Sequence, residues 1–208
     1  MKKQVVYIHG GDAFSKHEDF LQDLRTRTIR NLPNSEAKGF WTRTLEEDLG
    51  EDYEVFSLSM PNKQNAQYEE WKIWFERHFE YFHDDVILLG WSLGGMFLAK
   101  YLSEEKFPVQ IQALYMLGAP CGVCVDESGN DCGSFQFSPD ILQNLTKNTD
   151  KVSIWHSKDD FVVPYEHALL YKKQLETVEL VTYEDKNHFL LAEFEELITH
   201  IKDLDKKR

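Results

Sequence analysis

The sequence predicts one α/β domain, a three-layer αβα sandwich in which helices cover both faces of about six mostly parallel strands. Short apolar runs alternate with amphipathic helical patterns along the 208 residues. Several runs, such as 86–89, are apolar at every position, which is typical of strands that are covered on both faces. The predicted strands are residues 4–9, 53–58, 86–91, 111–117, 151–156 and 178–183.

The segments between the strands have the three- and four-residue apolar spacing of helices. An aromatic stripe runs from Tyr68 to Phe82, and an aliphatic stripe from Leu190 to Leu204. Core packing explains both stripes. Further helices are predicted within 16–30, 40–48 and 165–175.

Composition and charge limit the classes of partner. A formal net charge of −13 repels phosphate backbones and anionic lipids, so we expect no nucleic-acid or membrane partner. The first apolar run, Val5–Ile8, is shorter than the roughly 7–15 residues of a signal peptide or the about 20 of a membrane span. We therefore expect a cytoplasmic protein, and both a monomer and a homodimer stay open.

A motif after the third predicted strand supplies a candidate nucleophile. Gly90-Trp91-Ser92-Leu93-Gly94 follows the apolar run 86–89 and precedes a helical pattern, the context that a nucleophile elbow requires. A sharp turn at Ser92 leaves little room for side chains two positions away, and both positions are glycine. The turn places the hydroxyl at a helix N-terminus, where free N–H groups favour an incoming anion.

A serine hydroxyl needs a base to take its proton, usually a histidine that a carboxylate orients. His188 is the predicted base, because it follows the last strand at the same sheet edge as the elbow. The turn after strand 151–156 offers two carboxylates, and the spacing Asp-x-Val-Val-Pro favours Asp160. Asp159 would then be a solvated neighbour or a helix-capping group.

The charge that develops on a substrate carbonyl oxygen needs two preorganised N–H donors. The backbone N–H of Leu93, directly after the nucleophile, is the first predicted donor. The second should come from the glycine-containing loop after the first strand, where Gly11 is favoured and Asp12 is the alternative. Asp12 is also a candidate for the substrate pocket.

Four motifs together resemble the α/β-hydrolase superfamily, namely His9-Gly10-Gly11, residues 90–95, residues 160–164 and Asn187-His188-Phe189. The small size, and Met60-Pro61-Asn62 before a Trp-rich helix, resemble its branch of retinoblastoma-binding and YdeN-like serine hydrolases. The resemblance implies an α/β-hydrolase fold with strand order 2-1-3-4-5-6, a Ser–His–Asp triad and no large cap domain. We expect no cofactor and no metal.

The loop 118–138 matches none of those motifs, and its length predicts a functional or mobile segment. Its three cysteines have a partial zinc-site spacing that lacks a fourth ligand unless Asp126 or Asp131 supplies one. A disulfide between adjacent cysteines is a second interpretation, which a cytoplasmic location disfavours. We favour unpaired cysteines in a loop that shapes the pocket. The cysteines are Cys121, Cys124 and Cys132, and the possible disulfides are Cys121–Cys124 and Cys124–Cys132.

These expectations describe a carboxylesterase-like serine hydrolase that forms an acyl-enzyme on a small-molecule substrate, with an ester favoured over an amide or a thioester. Trp91, Phe135 and Phe137 are candidate pocket walls. Two alternatives stay open. One is a non-catalytic protein-interaction module on a hydrolase scaffold, because a fold does not determine a function. The other is an acyltransferase, whose first half-reaction uses the same residues.

Overall fold

A six-stranded parallel sheet forms the centre of the computed structural model, which describes residues 1–29, 40–124, 130–175 and 177–205. Its strand order is β2-β1-β3-β4-β5-β6, which confirms the predicted order. Each predicted strand lies within one residue of the observed bounds. The strands are β1 (Lys3–Ile8), β2 (Tyr53–Leu58), β3 (Val86–Trp91), β4 (Ile111–Leu117), β5 (Val152–Ser157) and β6 (Glu179–Tyr183).

Helical segments lie between successive strands, as the connections of a parallel sheet require. The α-helices are α1 (His17–Thr26), α2 (Leu45–Leu49), α3 (Tyr68–Glu76), α4 (Leu93–Glu104), α5 (Glu166–Gln174) and α6 (Glu195–Lys202). Segments of 3-10 helix lie at Trp41–Arg43, Phe79–Tyr81, Gly133–Phe135, Pro139–Lys147 and Asp203–Asp205. Residues 31–39, which Pro33, Asn34, Ser35 and Gly39 predict to be a loop, lie outside the described residues.

The last helix begins later than its apolar stripe predicts. Leu190 and Leu191 precede α6, because the backbone at Asn187 and Phe189 takes left-handed conformations with φ of 42° and 55°. These conformations make a turn that no helix can include. The turn places His188 at the carboxyl edge of the sheet.

The sheet separates two apolar layers, which confirms the three-layer architecture. Along β1, Val6 and Ile8 pack with residues of α3, α4 and α5, whereas Val5 and Tyr7 pack with residues of α2 and α6. Successive side chains of a strand point to opposite faces, so a strand buried on both faces needs apolar residues at every position. Among the described residues, no helix is long and apolar enough to span a membrane.

Candidate active site

Ser92 occupies a strained turn between β3 and α4, with φ of 55° and ψ of −124°. The Ser92 N–H donates to the carbonyl of Leu117 at 2.8 Å, and the Ser92 carbonyl accepts from the Gly95 N–H at 2.9 Å. A Cβ on Gly90 would lie 2.6 Å from the carbonyl oxygen of Gly94, so a side chain does not fit there. The elbow therefore has the geometry that its flanking glycines predict.

His188 and Asp160 form a buried hydrogen-bonded pair beside this turn. Nδ1 of His188 lies 2.8 Å from Oδ2 of Asp160. Oδ1 of the same carboxylate accepts from the N–H groups of Val162 and Val163, at 2.8 and 2.9 Å. Because a carboxylate only accepts, Nδ1 carries the proton, and Nε2 keeps a lone pair that can take a proton from a nucleophile. Ser92, His188 and Asp160 line the same cavity.

Asp159 lies next to the triad carboxylate as an exposed residue, and its side chain also accepts hydrogen bonds from the neighbouring loop. Its Oδ1 accepts from the hydroxyl of Ser157 at 2.5 Å and from the backbone N–H of Asn187 at 2.8 Å. Trp91 supports the same loop, because its indole N–H donates to the carbonyl of His188 at 3.0 Å. Asp159 is thus exposed to solvent, as the first of the two expectations has it, and it also fixes the loop that carries the imidazole.

Gly118, at the end of β4, is a site residue that no sequence motif identifies. Its φ is +51°, and a Cβ there would lie 3.1 Å from Nδ1 of His188 and 3.2 Å from Oδ2 of Asp160. Only a residue without a side chain leaves this pair undisturbed. The sequence feature that could have identified Gly118 is its position directly after the buried strand β4, which pairs with β5, the strand before Asp160.

His156 is a second buried histidine behind the carboxylate. Its Nε2 lies 2.8 Å from the carbonyl oxygen of Val163 and 3.5 Å from Oδ2 of Asp160. A carbonyl only accepts, so Nε2 carries the proton. Its Nδ1 is buried and has no partner among the described residues. Burial lowers the pKa of His156, so the ring is neutral near pH 7 and holds the turn that carries Asp160.

The loop after β1 brings glycine backbone against the nucleophile. A Cβ on Gly10 would lie 3.0 Å from Cβ of Ser92. Nε2 of His9 accepts from the backbone N–H of Met60 at 3.0 Å, so Nδ1 carries the ring proton and donates it to the carbonyl of Gly10 at 2.6 Å. Burial lowers the pKa of His9, which keeps this tautomer neutral. His9 thus fixes the orientation of the peptide that joins Gly10 to Gly11.

Two backbone N–H groups near Ser92 remain for a ligand. The Asp12 N–H donates to the carbonyl of Lys63 at 2.9 Å, so it is occupied. Among the described residues, the N–H groups of Gly11 and Leu93 have no hydrogen-bond acceptor. The geometry therefore favours Gly11 over Asp12 as the partner of Leu93 in an oxyanion hole.

A cavity of about 1100 Å³ opens above Ser92, and Asp12 and Trp91 both line it, as expected. The two phenylalanines do not. Phe135 is fully buried and packs edge-on against Trp71, at 5.0 Å between ring centroids, and Phe137 is buried in the same core cluster. Their assignment as pocket walls is therefore wrong: the segment Gly133–Phe135 turns inward, where α3 and α4 offer an aromatic cluster that a large apolar ring can join.

The cysteine loop also departs from the favoured interpretation. Cys124 and Cys132 form a disulfide, which rules out both unpaired thiols at these positions and a zinc site that uses them. Cys121 is free and buried, and burial raises its pKa to about 12, so its thiol is protonated and unreactive. Between the two bonded cysteines, Asn130 donates to Oδ1 of Asp12 at 3.2 Å, so this loop packs against the loop after β1.

The sheet, the strained serine after β3 and the His–Asp pair after β6 and β5 define the α/β-hydrolase fold. A model of the serine hydrolase family matches residues 28–200, and the chain therefore belongs to this family. The likeness to small YdeN-like hydrolases that the motifs predict is thereby confirmed for family and fold.

Solved structures share the fold at low sequence identity. The ydeN gene product from B. subtilis is 16% identical with a TM-score of 0.70, and the match covers 99% of this chain and 100% of that chain. A putative YdeN-like hydrolase from Pectobacterium atrosepticum is 11% identical, with coverages of 99% and 92% and a TM-score of 0.61. Est1E from Butyrivibrio proteoclasticus is 17% identical, with coverages of 99% and 88% and a TM-score of 0.62. A search of curated protein sequences found no match.

Proposed function

We propose that this serine hydrolase cleaves a small carboxylic ester through an acyl-enzyme, with Ser92, His188 and Asp160 as its triad. The observation that carries the proposal is the 2.8 Å hydrogen bond between His188 and Asp160, beside a strained serine in one cavity. The bond fixes the imidazole in the tautomer whose Nε2 can accept a proton.

In the proposed reaction, Oγ of Ser92 attacks the ester carbonyl carbon while Nε2 of His188 takes the hydroxyl proton. The oxyanion of the tetrahedral intermediate accepts hydrogen bonds from the N–H groups of Gly11 and Leu93. His188 then gives its proton to the alkoxide oxygen, and the alcohol leaves. Water attacks the acyl-enzyme, gives its proton to His188, and the carboxylic acid leaves as Ser92 regains a proton.

The test is covalent labelling by a fluorophosphonate probe together with turnover of short p-nitrophenyl esters. Ser92→Ala should abolish both, and Ser57→Ala, an exposed serine of β2, should change neither. Labelling that persists in Ser92→Ala would refute the assignment. Intact protein that no probe labels would instead favour the protein-interaction module, and acyl transfer to an added alcohol in preference to water would favour the acyltransferase.

A further inference from the structure

The cavity has two unlike sides because of the strand order. Ser92 follows β3, whereas the loop that begins at His9 follows β1 on one side of it, and the turn that carries Asp160 follows β5 on the other. The polar side, next to β1, consists of Asp12, Arg27, Lys63, Gln64 and Asn130. The side next to β5, called the apolar side for Phe161, Val162, Pro164 and Leu190, also contains Lys158, Tyr165, Glu166 and His167.

The proposed chemistry determines which part of an ester lies on each side. His188 must reach the alkoxide oxygen to protonate it, so the alcohol lies on the side of His188 and Asp160. The carbonyl oxygen points to the N–H groups of Gly11 and Leu93. The acyl chain is then directed away from His188, towards the polar side.

The apolar side leaves large side chains open to water. Phe161 is 70% exposed and Val162 is 42% exposed, directly after Asp160. Lys158 on the same side is paired with Glu184 at 2.6 Å and does not need a ligand. An apolar alcohol that covers Phe161 and Val162 would remove their surface from water, which favours its binding.

The polar side holds Lys63, a cation that forms no ion pair with any described residue. Arg27 is paired with Asp12 at 2.9 Å and with Asp23 at 2.5 Å. Lys63 has no carboxylate partner among the described residues, although the chain carries a net charge of −13. The charge of Lys63 contributes, after burial, to lowering the pKa of His9. The electrostatic field of Lys63 therefore reaches the loop after β1 that holds Gly11.

We propose that the substrate joins an acyl group that bears a carboxylate to an apolar alcohol, with Lys63 binding the carboxylate and Phe161 covering the alcohol. This inference rests on the proposed function. It assigns a separate specificity-determining residue to each half of the ester.

Four esters test the two halves independently: benzyl hydrogen succinate, methyl hydrogen succinate, benzyl butyrate and methyl butyrate. Succinate and butyrate have four carbons each, so only the distal carboxylate distinguishes the acyl groups. We expect kcat/KM to be about tenfold higher for benzyl than for methyl esters, since partial burial of a phenyl ring has this effect. A similar preference, about tenfold, is expected for succinate over butyrate at low salt. It should shrink in about 1 M NaCl, because salt screens exposed charges.

Two variants should separate these preferences. Phe161→Ala should remove the benzyl preference and keep the succinate preference, whereas Lys63→Met should do the reverse. Tyr81→Ala and Lys106→Met, which change exposed residues outside the cavity, serve as matched controls and should preserve both preferences.

Fluorophosphonate labelling of Ser92 in the same preparations distinguishes the two levels of failure. If Ser92 is labelled but butyrate esters are preferred, or Lys63→Met keeps the succinate preference, this inference is overturned and the proposed function stands. If Ser92 is not labelled and no ester is turned over, the proposed function fails and the inference falls with it.

Discussion

Two turns flank Ser92, and in each a histidine ring donates to a backbone carbonyl. In the carboxylate turn, residues 158–164, His156 donates to the carbonyl of Val163 at 2.8 Å. In the oxyanion loop, residues 9–12, His9 donates to the carbonyl of Gly10 at 2.6 Å. The two turns thus use one device to hold two different groups, a carboxylate and an N–H donor.

The two turns differ in the sequence distance to the residues that form hydrogen bonds with them. The carboxylate of Asp160 is held by N–H groups two and three residues ahead, and His156 is seven residues from its acceptor. The ring of His9 instead depends on Met60, 51 residues away, and Asp12 accepts from Asn130, 118 residues away. A local turn can be encoded in a short motif, whereas the oxyanion loop takes its geometry only when distant segments pack against it.

The sharpest test of the carboxylate side is Gly118→Ala. The new Cβ would press on both His188 and Asp160, whose separation must hold for proton transfer. We expect kcat for a p-nitrophenyl ester to fall about a hundredfold, the effect of a small misplacement of reacting groups. The left-handed backbone should also cost about 1 kcal/mol of the free energy of unfolding.

Gly50→Ala is the matched control for this variant. Gly50 also has a positive φ, of +89°, but nothing lies within 4 Å of a Cβ placed there. It should lose free energy of unfolding, measured in urea, because its φ of 89° and ψ of −175° lie in a region that is essentially restricted to glycine, and it should keep wild-type kcat. Equal activity of the two alanine variants would contradict the placement of Gly118 against the pair.

The same contrast explains what could be predicted from the sequence. Strand positions follow from apolar runs, and Ser92, Asp160 and His188 from short motifs, which are local patterns. The strand order is implied by the family resemblance that these motifs carry. The inward turn at Phe135 depends on contact with Trp71, which lies far along the chain, and no local pattern encodes that. The disulfide joins cysteines only eight residues apart, but their spacing alone does not distinguish a disulfide from free thiols or from part of a zinc site. Gly118 belongs to the second group, because its role exists only once β4 lies beside β5.

His9→Ala should weaken the binding of the transition state by the oxyanion loop and leave the binding of the substrate unchanged. Without the ring, the peptide between Gly10 and Gly11 loses the bond that orients it, and one oxyanion donor loosens. Complete loss of one donor costs about 3 kcal/mol, so we expect a loss in kcat of about tenfold to a hundredfold with little change in KM.

His9→Asn is the control, because its amide nitrogen stands close to the position of Nδ1 and can restore the donor. It should recover part of the lost kcat. An equal loss of kcat in His9→Ala and His9→Asn would contradict this role of the ring nitrogen.

The smallest expected effect is on the free energy of unfolding at acidic pH, to which the histidines that support the two turns should contribute alike. Burial lowers the pKa of His9, His156 and His167 below the usual value near 6.5. Below about pH 6.5 the unfolded chain therefore binds more protons than the folded protein, so the free energy of unfolding falls as the pH decreases. Above that pH all three are neutral in both states, and their contribution is constant. Urea unfolding at pH values below and above about 6.5 measures this change of the free energy of unfolding with pH.

Substitution of one buried histidine should reduce the acid slope by at most about 1.4 kcal/mol per pH unit, the contribution of one proton. His156→Gln keeps a donor near the position of Nε2, so it should retain much of the stability at neutral pH and lose this share of the acid slope. His17→Gln, which replaces an exposed histidine, is the control and should keep the full slope. If His156→Gln keeps it too, the ring of His156 is not held neutral by burial. The turn that carries Asp160 would then be held by something other than the hydrogen bond from His156 to the carbonyl of Val163.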